Sequence, residues 1–477
     1  MGYSEILCTI CGVSFNIARI RRRDEPKEAA WAYNNNTGSF LEVDDLPSSF
    51  ESCGRESGCT YYNRIKDDGV YKSPWKSSKH DKDPVVSAQN ARVAIDAMKD
   101  DCDEDLEYDD SDKEGESEFE HIAGPGCKSY NGYSAYLISS EEMQGCTTFQ
   151  CLVHKSTSWQ PAADDEDFER DPQFPMFLSG LCDYMPDRED GFINTMYPMR
   201  HNMQGHIPDH IAWDFNDYTD YSVPFHPSCL EIYKRVSTQL HGSVDMLGLV
   251  QWHKNGTSAE TFEGFHPSTT RTDDVGYLNE QWWAHNNETE YVAANPLFIP
   301  GLAAVVETSL SPHNIDSNMG AFDLPASSNL AASPGDPFAT LPMELRLAVL
   351  SSLPNADLSN LRLASRVFRQ LPVSVWHGLV LQDMPWLWEA WPADKAMPYP
   401  FLATTTERRL RANPSIEPNR VPVPNMLPSF RMNWYKLYCS IKRGIHDGTL
   451  KGLQNRKRIW ADCEAIALSI RTTSETI

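Results

Sequence analysis

The chain has 477 residues, with 42 Lys and Arg against 67 Asp and Glu, for a formal net charge of −25. That length supports two or three domains with a buried core, and the acidic balance argues against nucleic acid or an anionic membrane as partner. No apolar run of about eighteen residues occurs, the start lacks a basic segment followed by an apolar one, and Ile6 breaks the myristoylation pattern begun by Met1-Gly2. A soluble intracellular protein, cytoplasmic or nuclear, is expected, its twelve cysteines reduced and available to metals.

In chain order, Glu5–Phe15 (EILCTICGVSF) alternates as a tight hairpin, followed by Arg19, Arg21, Arg22 and Arg23. Asp24-Glu25 comes at once after this basic cluster, so a solvated face is expected rather than a nuclear address. Between Asp100 and Glu120 thirteen of twenty-one residues are acidic. Such a block cannot pack and reads as a disordered insertion carrying about half of the net charge. Tyr133–Ser139 and Thr147–Val153 alternate as strands. The stretch from Gln160 to Pro227 reads as irregular, ordered loops. Leu230, Tyr233, Val236 and Leu240 then share one face of a helix over Cys229–Leu240. A Ser, Asn, Ala and Pro composition marks Ser311–Gly335 as a linker.

Asp336–Trp376 (DPFATLPMELRLAVLSSLPNADLSNLRLASRVFRQLPVSVW) reads as three short helices. Thr340 is a candidate N-cap with Pro342 in the first turn, and Pro354-Asn355 ends that helix. Asp357 can cap the next, in which Leu358, Leu361, Ser365 and Phe368 recur at helical spacing. Leu371-Pro372 opens the third. Two apolar faces are expected, one with Leu345 and Leu350 and one with Leu347 and Leu353. That is more than a helical hairpin buries alone, and a surplus apolar face on a small helical unit awaits a partner.

This segment resembles an F-box. The family's LPxEL opening is Leu341-Pro342-Met343-Glu344-Leu345, its aliphatic helix Ala348 to Leu353, its DL step Asp357-Leu358, and its closing LRLxSRxFRxL Leu361 to Leu371. With the N-terminal CxxCG and the Trp-rich tail, the arrangement is similar to F-box proteins of filamentous fungi. The resemblance implies a helical domain that docks on the Skp adaptor of a cullin–RING ubiquitin ligase through Leu341, Pro342, Leu345, Leu350, Leu353, Leu358, Leu361 and Phe368. It further implies a subunit that recruits a protein substrate without chemistry of its own. An alternative is a zinc-stabilised scaffold whose F-box acts outside a ligase. Many relatives carry the substrate domain after the motif; here a large region precedes it.

Beyond the motif, MPWLWEAWP is expected to pack on its third helix, and a Pro-rich joint spans Pro414–Pro428. Two final helices carry Trp434, Leu437, Tyr438 and Ile441, then Ile459, Cys463, Ile466 and Ile470, at helical spacing. The whole is an α+β chain: an irregular α+β domain over 1–310 with a disordered insert at 100–120, a linker over 311–335, the F-box over 336–378 and a helical region over 379–477.

Two thiols spaced by two residues, Cys8-Thr9-Ile10-Cys11-Gly12, have the form of a zinc knuckle, the glycine permitting its tight turn. His226-Pro227-Ser228-Cys229 offers two further ligands at matching spacing and at a helix start, where the dipole favours thiolate. Together Cys8, Cys11, His226 and Cys229 form a candidate site for structural zinc, although 214 residues separate the halves. An unliganded buried pair and a redox CxxC remain open. Cys127, Cys146, Cys151 and His154 offer a second possible metal cluster but read rather as small buried residues on paired strands, and Cys53 and Cys59 as loop residues without ligand spacing. Pro208 prevents His201, His206, His210 and Asp214 from sharing a helix face. Phosphate-binding loops, HExxH and Gly-x-Ser-x-Gly elbows are absent, and an enzymatic function is not expected.

Overall fold

A computed structural model describes residues 7–15, 17–31, 50, 52–64, 67–75, 119–155, 157, 159–162, 165–181, 223–257, 285–312, 322, 335–392, 427 and 431–474. His201, His206, His210 and Asp214, and most of the acidic tract, the linker and the Pro-rich joint, lie outside them. The chain is α+β and divides into two units. The first comprises Met1–Phe298, Phe401–Arg420 and Arg458–Ile477, and the second Ile299–Pro400 and Val421–Lys457. No helix among the described residues is long and apolar enough to cross a membrane.

The first unit is built on three small sheets. β1 (Arg19–Ile20) pairs in parallel with β5 (Tyr133–Ser134). β2 (Thr60–Asn63) lies between β3 (Tyr71–Lys72) and β4 (Phe119–Ile122), both antiparallel to it. β6 (Gln150–His154) is flanked by β7 (Met176–Leu178) and β8 (Val223–Phe225), again antiparallel. The expected strand at Tyr133–Ser139 is thus only two residues long, because its chain turns at once, Leu137 and Ile138 both donating to Ser134 O. A single helical turn, α1 (Asp167–Arg170), closes with a capping box between Glu166 and Glu169. After β8 comes α2 (Pro227–His241), with Pro227 in its first turn and Gly242 ending it at φ 81°. Leu230, Tyr233 and Val236 bury one face as the spacing predicts, while Leu240 near the end stays exposed. α3 (Met246–Thr257) follows.

Two sequence expectations fail here for one reason: carboxylates neutralise buried arginines, the nearby Glu25 for Arg19 and the distant Glu120 for Arg21. Arg19 and Arg21 do not belong to a solvated face but are 0% and 2% exposed. Arg19 bonds Glu25 at 2.7 Å, and Arg21 bonds Glu120 at 2.8 and 3.1 Å. Arg64 reaches the same carboxylate at 3.3 Å. Glu120 and Phe119, the last residues of the acidic tract, are therefore interior strand residues and not part of a solvated insert.

The second unit is helical. It contains α4 (Leu302–Ser309), α5 (Met343–Ser351), α6 (Asn355–Ala364), α7 (Val373–Asp383) and α8 (Trp434–His446). α9 (Lys451–Ser474) begins in this unit and its residues from Arg458 belong to the first. α5 to α7 are the three helices expected from Asp336–Trp376, with shifted ends. Pro342 itself occupies the N-cap of α5, Pro354 that of α6, and α7 runs seven residues beyond Trp376. Leu350, Leu358, Val367, Phe368, Leu371 and Leu379 form their interior, with Leu347 and Leu353 against it. Leu345 does not share a face with Leu350: five residues turn a helix by about 500°, which leaves them about 140° apart. Leu350 is buried and Leu345 is exposed. α8 buries Trp434, Leu437 and Ile441, and Asn433 caps it by accepting from Lys436 N–H. In the Trp-rich stretch Trp386, Leu387 and Trp388 are buried. Beside them Arg456 meets Glu389 at 2.9 Å and lies 3.8 Å over the Trp388 ring.

Candidate metal centres

The N-terminal knuckle forms as its spacing predicts. Cys8 N–H donates to Val13 O at 2.9 Å and Gly12 N–H to Cys8 O at 2.8 Å, while Leu7 and Ser14 bridge the open end. Gly12 sits at φ 71°, left-handed backbone that a side chain would strain. Thr9 N–H donates to Pro224 O at 2.9 Å, which lays the knuckle along β8. The residue after β8 is His226, the N-cap of α2, and Cys229 lies in the helix's first turn. That backbone bond thus brings Cys8 and Cys11 to His226 and Cys229 across the intervening chain.

Their four ligand atoms lie within 4.8 Å of one another and all four residues are buried. Cys11 Sγ is 3.5 Å and Cys229 Sγ 3.9 Å from His226 Nδ1. A tetrahedral ion with Zn–S about 2.3 Å and Zn–N about 2.0–2.1 Å requires S···N edges of about 3.6 Å and S···S edges of about 3.8 Å. The surroundings complete the arrangement. His226 Nε2 lies 3.0 Å from Cys146 O, which can only accept, so Nε2 carries a proton and Nδ1 is the nitrogen turned to the sulfurs. His226 N–H donates to Cys8 Sγ at 3.4 Å, and the Phe15 ring lies 4.5 Å from the imidazole. Arg458, held at 3.1 Å by Asp462, donates to Cys11 O at 3.0 Å, so α9 braces the knuckle.

Crowding shifts three of these groups, Cys11, His226 and Cys229, away from their ordinary values. Burial raises the Cys11 thiol, but hydrogen bonds from Cys229 and Cys8 and the charge on His226 hold it well below the usual range. Burial opposes charge on His226, yet Cys8 and Cys11 raise it to about 10. Burial, then the shared sulfurs of Cys11 and Cys8, push Cys229 well above a normal thiol. A divalent cation held here would take the place of these shared protons, since it requires thiolate and neutral imidazole ligands.

A second buried tetrad stands in the same unit: Cys53, Cys59, His121 and Cys127, again with ligand atoms within 4.8 Å. It corrects two sequence readings. Cys53 and Cys59 are not plain loop residues, and Cys127 is not merely a small buried residue grouped with Cys146, Cys151 and His154. Cys151 is buried on β6, and Cys146 contributes its carbonyl, not its thiol, to the first centre. Among the described residues these two tetrads are the groups of Cys, His, Asp and Glu placed to hold a metal ion. Five residues separate Cys53 from Cys59 and five separate His121 from Cys127. That repeated spacing was the available signal, and it falls outside the short x2–x4 patterns by which zinc ligands are recognised.

Each centre offers four protein ligands in the interior. Both can hold a structural metal ion, and a closed coordination shell leaves no position for a reacting water or substrate. The residues of the F-box-like segment do not converge on either centre; they lie in the second unit. No family model, curated protein or solved structure matches the chain.

Proposed function

We propose that the chain is the substrate-recognition subunit of a Skp–cullin–F-box ubiquitin ligase. It docks the Skp adaptor through the segment 336–378 and presents a protein substrate by raising its effective concentration near the charged conjugating enzyme. The observation that carries this reading is how the segment divides its apolar side chains. Leu350, Leu358 and Phe368 are interior, whereas Leu345 is 52%, Met343 40% and Leu363 88% exposed. Pro342 is also exposed, and Leu341, Leu353 and Leu361 are half-buried. The adaptor-facing set therefore draws on Leu341, Pro342, Leu345, Leu353 and Leu361, and the other three hold the helices that present them. Covering a leucine contributes about 1.5–3 kcal/mol, so a few such residues make a binding surface. The closed metal centres of the first unit favour a stabilised recognition domain over an enzyme.

The test is co-purification of the full chain with recombinant Skp adaptor and cullin. The ligase reading expects both to be retained and Leu345→Ala with Pro342→Ala to lose both. Adaptor without cullin would select the scaffold acting outside a ligase, and neither would end the F-box assignment.

A further inference from the structure

We propose that Cys53, Cys59, His121 and Cys127 bind a second zinc ion, which clamps together the two stretches of chain on either side of the acidic tract and is released before the first. The donor set fits. Cys53 Sγ lies 3.9 Å from Cys127 Sγ, and Cys127 Sγ 3.8 Å from His121 Nε2, close to the edges of a zinc tetrahedron. All four side chains are at most 5% exposed. Backbone amides already face the sulfurs as they do around bound thiolates: Gly124 N–H donates to Cys59 Sγ at 3.4 Å and Lys128 N–H to Cys53 Sγ at 3.3 Å. Three thiols and one imidazole in a closed interior select a borderline-soft, tetrahedral ion, and zinc satisfies both demands where calcium and magnesium require oxygen ligands.

The fold explains what such an ion does. Cys53 and Cys59 precede β2, His121 lies on β4 and Cys127 follows it, with Tyr61 facing His121 in the ladder. The chain leaves this sheet after Lys72 and returns at Phe119, with 46 residues between them. Closing so long a segment by four strand residues alone carries a loop entropy that grows with its length. An ion joining Cys53 and Cys59 to His121 and Cys127 holds the sheet closed whatever the acidic segment does.

The two imidazoles are held differently. His226 donates to Cys146 O, whereas the His121 ring is stacked at 3.9 Å on Phe50 and its buried Nδ1 has no hydrogen-bond partner. An outer acceptor on a ligating histidine is worth about 10–100-fold in metal affinity. The second ion is therefore expected to leave at about 10–100-fold lower chelator strength.

Full-length protein purified without chelator should contain about two zinc per chain and lose them in two steps against a chelator of known affinity. Cys59→Ser should retain one, released in the later step, and Cys11→Ser one, released in the earlier. Two zinc in Cys59→Ser, one zinc in the unaltered chain that disappears with Cys11→Ser, or a metal other than zinc at this centre would each overturn the proposal. Should Cys59→Ser fail to fold, cobalt(II) reconstitution of the unaltered chain decides: sulfur-to-cobalt absorbance for six thiolates supports two centres, and absorbance for three refutes the second.

Discussion

Gly124→Ala is the sharpest single perturbation the structure offers. A Cβ at Gly124 would stand 2.1 Å from Gly58 C, 2.3 Å from Ser57 O and 2.4 Å from Cys59 N. All three are backbone atoms of one loop, so no side chain can swing aside. Contacts that short require the loops to part by about 1 Å or more, and overpacking of this kind typically costs 1–3 kcal/mol. Here the displaced atom belongs to the residue that supplies the Cys59 sulfur, and Gly124 N–H itself donates to that sulfur. The methyl group therefore strikes stability and metal geometry together. Gly54→Ala, in the same loop, is the control: a Cβ there meets nothing within 4 Å, and the residue sits at φ −85°. It should leave stability unchanged or raise it by about 0.4–1 kcal/mol through the unfolded chain. Denaturant unfolding with zinc analysis in parallel reads both effects. Gly124→Ala should unfold earlier and lose about one zinc per chain, while Gly54→Ala keeps both. A Gly124→Ala protein with unaltered stability and metal content refutes the crossing of these loops.

Cys11→Ser should remove one zinc and lower the melting temperature of the first unit, with adaptor binding by the F-box segment retained in pull-down. Deleting 100–118 should leave cooperative unfolding intact, since self-repulsion falls; extending the deletion through Glu120 strips the partner from buried Arg21 and should destabilise by about 3–5 kcal/mol in the same assay. Glu389→Gln should cost a similar amount in the second unit, because both side chains of its pair with Arg456 are at most 1% exposed. Lys27→Ala, which removes an exposed pair with Asp67, should produce no measurable shift.

Local chemistry was readable from the sequence alone. Two-residue spacing in Cys8–Cys11 and His226–Cys229, each with its turn glycine or helix start, identifies half-sites without any tertiary knowledge. A 3.6-residue period likewise locates α5, α6, α8 and the buried stripe Ile459, Cys463, Ile466 and Ile470 of α9. Tertiary structure decided what those pieces meet. The halves of the first centre join because Thr9 pairs with Pro224 at the edge of β8. The second centre exists because β2 and β4 are neighbours in a sheet though 55 residues separate them in the chain. Burial of Arg21 follows from Glu120, which composition assigned to a solvated tract, and Leu350 is interior while Leu345 is not because packing uses one side of a helix. Periodicity and short spacings are imposed by the backbone within a few residues. Which charges are paired, which cysteines share an ion and which apolar face stays open depend on contacts between segments far apart in sequence, and no local rule encodes them.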